Sequence, residues 1–266
     1  MIKPLELGKT DFFKNGINDR LFFDWLRDLK IIILMPAYNV EKLITKTINR
    51  IPKDFMQIIT KLIIVNDGSI DKTQEVIDNL IEKNSKIEVI KHINNQGYGA
   101  TQKTGFNRAL ELNADIIILL HSDGQYAPEL LLKLVHPFFE ENVDVVLGSR
   151  ILGKGALKGG MPLYKYLGNK FLTFIENLAY GMKVSEYHTG YMLYSKNALR
   201  KIPFNRLSNT FHFDGEMVMM SGKKNLKLKE VPISTTYADE SSNLNSIKYG
   251  LNVFKIIIKE KLGKYD

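Results

Sequence analysis

The chain has 266 residues, 44% of them hydrophobic, a net charge of +8 and no cysteine. That length holds a full core in one large domain or two small ones, and the absence of cysteine excludes a disulfide framework, a thiolate zinc site and a cysteine nucleophile, which fits a reducing cytoplasm. The positive charge suits nucleic acid, an anionic membrane surface or a phosphorylated ligand, but no basic run with interleaved aromatics marks a nucleic-acid module, so nucleic acid is not an expected partner.

Met1 to Lys30 mix polar and aromatic residues without the basic-then-apolar order of a signal peptide, and residues 1–30 are expected to be an N-terminal extension. No apolar stretch approaches the roughly 18–20 residues that span a bilayer, so the chain is expected not to cross a membrane by itself.

Lys30 to Pro36 is a β-branched run stopped by proline, followed by a helical pattern through Leu43, Thr47 and Ile48. The unit recurs. Lys61 to Val65 ends at Asn66-Asp67-Gly68-Ser69, and a helix with Val76, Ile77, Leu80 and Ile81 on one face follows. Ile87 to Ile90, Asp115 to Leu120 and Val143 to Leu147 are further strands, with a helix over Ala100 to Leu112. Apolar strands alternating with amphipathic helices predict an α/β protein: a mostly parallel, Rossmann-like sheet with helices on both faces, whose ligands sit beyond the carboxyl ends of the strands. Gly153, Gly155, Gly159 and Gly160 then make a flexible connection, Leu163 to Tyr180 forms an apolar, aromatic-rich helix, and a basic helical pattern runs from Ile247 to Leu262.

The informative residues therefore follow the strands. After the first come Pro36-Ala37-Tyr38-Asn39, and after the second Asp67 and Asp71. A carboxylate at a strand end accepts hydrogen bonds from a base or ribose and Tyr38 offers a stacking face, although Asp67 also suits an Asx-turn and Asp71 a helix cap. Asn94 to Ala100, with Gly97 and Gly99, allows backbone to approach a phosphate at a helix N-terminus. A dinucleotide fingerprint needs Gly or Ala where Gln102 stands, so a Rossmann dehydrogenase is a poor fit.

The fourth strand leads into His121-Ser122-Asp123-Gly124-Gln125-Tyr126. In an extended segment His121, Asp123 and Gln125 point the same way and could hold a divalent cation. One Asp with substrate oxygens and water is a usual way to hold the cation that offsets charge on a leaving diphosphate. An ordinary strand-to-helix turn at Pro128 is the structural alternative.

Taken together, Pro36-Ala37-Tyr38-Asn39, Val65-Asn66-Asp67-Gly68-Ser69, the glycine pattern from Asn95 to Gly105, Asp123-Gly124-Gln125-Tyr126 and Gly148-Ser149-Arg150 occur in an order that resembles family 2 glycosyltransferases, especially the dolichyl-phosphate mannose synthase-like branch. The resemblance covers roughly Ile31 to Tyr249 and implies a GT-A fold over residues 31–246, a nucleotide-sugar donor, Mg²⁺ or Mn²⁺, and inversion at the anomeric carbon. It implies that Pro36, Tyr38, Asn39, Asp67, Gly97, Gly99, Ser122 and Asp123 line the donor site, and that Asp123 and Gln125, with His121 where the family usually has Asp, hold the metal. Imidazole suits Mn²⁺ better than Mg²⁺.

Glu186 to Tyr191 resembles the family's acidic segment lining the active site, and Phe213-Asp214-Gly215-Glu216 its acidic pair. A hydroxyl acceptor needs a carboxylate base, for which Asp214 is the candidate and Glu216 the nearest alternative; a phosphate acceptor is already ionised and needs none. Arg150, Lys165 and Asn169 fall where polyprenyl-phosphate-using relatives contact the acceptor phosphate, and His188 is either an acceptor contact or a packed histidine. Residues 239–246 have the composition of a mobile lid.

The expected activity is transfer of a sugar from a UDP- or GDP-sugar to a glycan hydroxyl or a polyprenyl phosphate. A degenerate nucleotide-sugar-binding protein and a sugar-1-phosphate nucleotidyltransferase are the alternatives, although the latter normally opens with a glycine-rich basic loop that Pro36 to Asn39 lacks. Residues 247–266 carry Ile247, Leu251, Phe254, Ile258 and Leu262 at helical spacing among lysines, either a helix lying on an anionic bilayer or one packed on the domain.

Overall fold

The computed structural model describes residues 16–153, 155–234 and 246–265. The stretch expected to act as a lid lies outside these residues apart from Ser246. The first helix, α1 (Gly16–Asp28), sits within the expected extension, and its Phe22 and Leu26 are fully buried. They join the same core as Trp25 and Phe139 of α6 (Leu131–Glu140), whose rings pack together, so α1 contributes Phe22 and Leu26 to the core.

The strands β1 (Ile31–Ala37), β2 (Lys61–Asn66), β3 (Ile87–Lys91) and β4 (Ile116–Leu119) lie parallel in the order β3-β2-β1-β4. Between them run α2 (Ile44–Asn49), α3 (Lys53–Ile58), α4 (Thr73–Lys83) and α5 (Tyr98–Glu111). The far half adds β5 (Val145–Ser149), β6 (Met192–Ser195) and β7 (Leu228–Pro232), completing the order β3-β2-β1-β4-β6-β5-β7. β6 runs against both its neighbours, while β5 and β7 are parallel. The remaining helices are α7 (Gly155–Lys158), α8 (Leu163–Tyr180), α9 (Lys196–Lys201), α10 (Phe213–Lys223) and α11 (Ser246–Lys261).

The nearly continuous apolar strands are buried on both faces, as the pattern requires. Ile31, Ile33 and Met35 join the core under α1, α2 and α6, while Ile32 and Leu34 join the core under α5, α9 and α10. The carboxyl ends of β1, β2, β4 and β5 meet at one edge, where the candidate residues gather.

Candidate active site

The turns at this edge are tied to one another through side chains. Ser122 donates to the Pro36 carbonyl at 2.7 Å, and Asn39, held at φ 53°, joins β1 to the turn after β2 through Ser69 and Ile70. Tyr38 is 46% exposed, leaving its ring face open to a ligand. Asp67 is buried: Oδ1 accepts from Gln96 N and meets the His92 ring, and Oδ2 accepts from Gly97 N. It thereby orders the loop leading into α5.

That loop differs from the expectation of a phosphate cradle. The Gly97 N–H is spent on Asp67, and the Gly99 N–H donates to the Asn209 carbonyl at 2.9 Å. A Cβ on Gly97 would stand 2.4 Å from Asn209 O, and one on Gly99 2.4 Å from Ser208 O. The close approach these glycines permit is to the backbone at 208–209.

The expected extended metal segment is a turn instead, with Gly124 at φ +74°. Asp123 Oδ1 accepts from Gln125 N at 2.9 Å. The turn is pinned from α2, where Thr47 donates to Ser122 O and Arg50, just beyond the helix, donates to Gly124 O. Alternation along a strand therefore does not bring His121, Asp123 and Gln125 to one point. The His121 ring packs edge-on to Tyr126 and Tyr98 and crowds Gly190. Among the described residues no three His, Asp or Glu side chains form a metal cluster. A divalent cation would fit at the second oxygen of Asp123 only by taking its other ligands from a bound diphosphate and water.

His121 belongs to a different arrangement. The Tyr98 hydroxyl donates to Asp214 Oδ2 at 2.8 Å and lies 2.8 Å from His121 Nε2, so the imidazole must donate in return. Gln102 Nε2 donates to Asp214 Oδ1 at 2.7 Å. Burial pushes the Asp214 carboxyl above its ordinary range, against the opposing effects of Gln102, His121, Tyr98 and Arg150. Neither Tyr98 nor Gln102 was expected to bind Asp214, although their i,i+4 spacing at the start of α5 puts both on one face. Glu216, one turn below the start of α10, accepts from Ser208 N at 2.8 Å and from the Tyr265 hydroxyl at 2.5 Å.

On the far side, Glu186 is fully buried and bound by Arg150: Nε donates to Oε1 and the backbone N to Oε2, each at 2.8 Å. Asn169 donates to the same Oε1 at 3.0 Å, and Arg150 also reaches the His188 carbonyl. His188 is enclosed, with Nδ1 at 3.0 Å from the Tyr249 hydroxyl and Nε2 at 3.1 Å from Glu176 Oε2, the latter a close contact without hydrogen-bond alignment. His212 stacks on Tyr249 at 4.3 Å, and burial lowers its pKa. The structure thus unites Arg150, Asn169, Glu186 and His188. Lys165 is outside this network, one turn before Asn169 on α8.

Comparison with known proteins agrees with this architecture. A solved structure of glucosyl-3-phosphoglycerate synthase from Mycobacterium tuberculosis, in complex with Mn²⁺, uridine diphosphate and glucosyl-3-phosphoglycerate, superposes with a TM-score of 0.66 at 15% identity, covering 95% of this chain and 86% of that one. The architecture is the GT-A fold of glycosyltransferases. The profile described as Glycosyl transferase family 2 matches residues 32–203, and the chain belongs to that family. Its relatives include the UDP-N-acetylglucosamine–dolichyl-phosphate N-acetylglucosaminyltransferase of Methanococcus voltae, 32% identical over 90% of this chain and 99% of that protein. The polyprenol monophosphomannose synthase of Mycolicibacterium smegmatis is 23% identical over 78% of this chain and 77% of that protein. The chain is accordingly a glycosyltransferase.

Proposed function

We propose that this glycosyltransferase moves a sugar from a UDP- or GDP-sugar to a polyprenyl phosphate by a single inverting displacement. The observation that carries this reading is the state of the three candidate carboxylates. Asp214 holds Tyr98 and Gln102, Glu216 holds Ser208 and Tyr265, and Glu186 holds Arg150 and Asn169. Each is engaged by protein donors, which supports a positioning role for all three, and a phosphate acceptor brings no proton that must be removed. The names of the two lipid-phosphate-using relatives support the same acceptor.

In this reading Tyr38 stacks on the base, with Pro36, Asn39 and Asp67 shaping the rim of the nucleoside site. Asp123 would hold a Mg²⁺ or Mn²⁺ together with the donor diphosphate, and that cation would offset charge on the departing diphosphate. Gln125 keeps Asp123 oriented through its backbone N–H. Arg150, fixed by Glu186, and Lys165, on the same row of α8 as Asn169, supply the positive field for the acceptor phosphate. His121, Tyr98 and Gln102 position Asp214 between these two halves.

A thermal-shift panel of nucleotide sugars, with and without Mn²⁺, tests the donor half, because a ligand that binds the folded state raises Tm by mass action. The protein should be stabilised by a UDP- or GDP-sugar only with the cation, and Asp123→Ala should lose that response. Stabilisation that ignores the cation, or formation of a nucleotide sugar from a nucleoside triphosphate and a sugar 1-phosphate, contradicts the reading.

A further inference from the structure

The helices α8 and α11 lie side by side: a Cβ on Gly250 would stand 3.7 Å from Leu172, and Lys261 Nζ donates to the Ala179 carbonyl at 2.6 Å. Each is amphipathic in an unusual sense. Their inward rows are largely polar or aromatic with polar tips, carrying Asn169, Thr173 and Glu176 on α8 and Tyr249 on α11 beside the buried Val253. Their outward rows are apolar. Leu167, Phe171, Phe174 and Leu178 of α8, and Leu251 and Ile258 of α11, are each 56–68% exposed.

A helix normally turns such a row toward the core, and one row of large exposed apolar side chains, let alone two on neighbouring helices, marks a surface that is covered in use. The charges say by what. The two helices contain six lysines and two acids. Both acids point inward, Glu176 toward His188 and Glu260 toward Lys223. Lys170, Lys255, Lys259 and Lys261 are exposed beside the apolar rows. An apolar row rimmed by lysine with the acids withdrawn complements an anionic bilayer surface, where the apolar side chains enter the acyl boundary and the ammonium groups meet the headgroups.

We infer that α8 and α11 together form a face that docks this protein on an anionic membrane surface. The inference goes beyond the proposed transfer reaction, since docking requires neither donor nor acceptor, but it also gives that reaction a geometry. α8 is then the wall between bilayer and site: its outer row meets lipid while its inner row carries Asn169 beside Arg150 and Glu186. Among the described residues no helix is long and apolar enough to cross a membrane, so the contact is peripheral as far as they extend.

The test is co-sedimentation of the full chain with phosphatidylcholine vesicles, with and without about 30% phosphatidylglycerol, at low and high salt. Two double variants are compared with the native chain, Phe171→Ser/Phe174→Ser and Lys255→Glu/Lys259→Glu. All four positions are exposed, so the fold should survive, which an unchanged Tm checks. The anionic vesicles should bind the native chain at least about tenfold better than the zwitterionic ones, and each double variant should lose about that factor. Indifference of the native chain to anionic vesicles at low salt, or native binding by both variants, overturns the inference. So does a dimer in sedimentation velocity that the Phe171→Ser/Phe174→Ser variant dissolves, since the face would then belong to a second copy of the chain. Sugar transfer to a short-chain, water-dispersed polyprenyl phosphate is measured in parallel. Loss of vesicle binding with transfer intact separates the docking face from the reaction.

Discussion

Asp214 is held by two donors at once in a setting that disfavours its charge, and this makes its role testable by one substitution. Asp214→Asn keeps the shape of the site: the amide oxygen accepts from Gln102, and the amide N–H can donate to Tyr98, whose hydroxyl then donates to His121. If Asp214 positions rather than abstracts, kcat toward polyprenyl phosphate should stay within about tenfold of native, whereas a loss of roughly 10²–10⁴ would identify it as the base. The same variant has a stability signature. Burial raises the native pKa of Asp214 above its unfolded value, so between those two values the native state binds more protons than the unfolded one, and stability falls as pH rises through that window. Asp214→Asn removes this cost. It should be more stable than the native protein at neutral pH, with the difference shrinking on acidification below the ordinary carboxylate range, and thermal melts across pH read this directly. A variant less stable than native at neutral pH would show that the hydrogen bonds from Tyr98 and Gln102 outweigh burial.

At the scale of elements, the two loops that meet over α5 control the site's shape. The 207–210 segment is drawn onto α5 by Gly99 N to Asn209 O and by Lys103 reaching Leu207 O and Asn209 Oδ1, and it is tied to α10 by Glu216 accepting from Ser208 N. Gly99→Ala would place a methyl group 2.4 Å from the Ser208 carbonyl, so the segment must move. We expect a loss of about 1–3 kcal/mol in stability and impaired transfer, measured by denaturant unfolding and initial rates; a variant as stable as native would show that the segment moves aside freely. How far the elements were legible follows from the same physics. The strands β1, β2, β4 and β5 carry continuous apolar runs rich in β-branched residues, and α8 was read over its full span, because long periodic patterns survive in sequence. α1 escaped notice because its apolar residues are mixed with charged ones, though Phe22, Trp25 and Leu26 recur at i,i+3,i+4. The reversed direction of β6 has no local signature, since the same residues could pair either way.

For the whole molecule, the residues that share the site come from both halves of the chain, and their pairing is the part that sequence could not supply. Asp123 and Tyr38 are candidates because of their places after strands, whereas Glu176, His188, His212 and Tyr249 meet only once α8, the 186–190 segment, α10 and α11 have packed. The sequence left two alternatives for α11, lying on a bilayer or packing on the domain. It packs through Val253 and Tyr249 on one side, while the opposite apolar row is exposed. Removing residues 247–266 would therefore strip Tyr249 from His188 and Tyr265 from Glu216, and surface substitutions isolate the docking face more cleanly.

The central claim is that the sugar goes to an ionised phosphate in a site that needs no base, and the choice of acceptor tests it most directly. Labelled UDP- and GDP-sugars are incubated with the full chain, Mn²⁺ or Mg²⁺, and either a polyprenyl phosphate or the matching polyprenol, and the label entering the organic phase is measured. The account predicts cation-dependent transfer to the polyprenyl phosphate and none to the polyprenol. Transfer to the hydroxyl of the polyprenol, or to neither acceptor while a glycan hydroxyl is glycosylated, would contradict it.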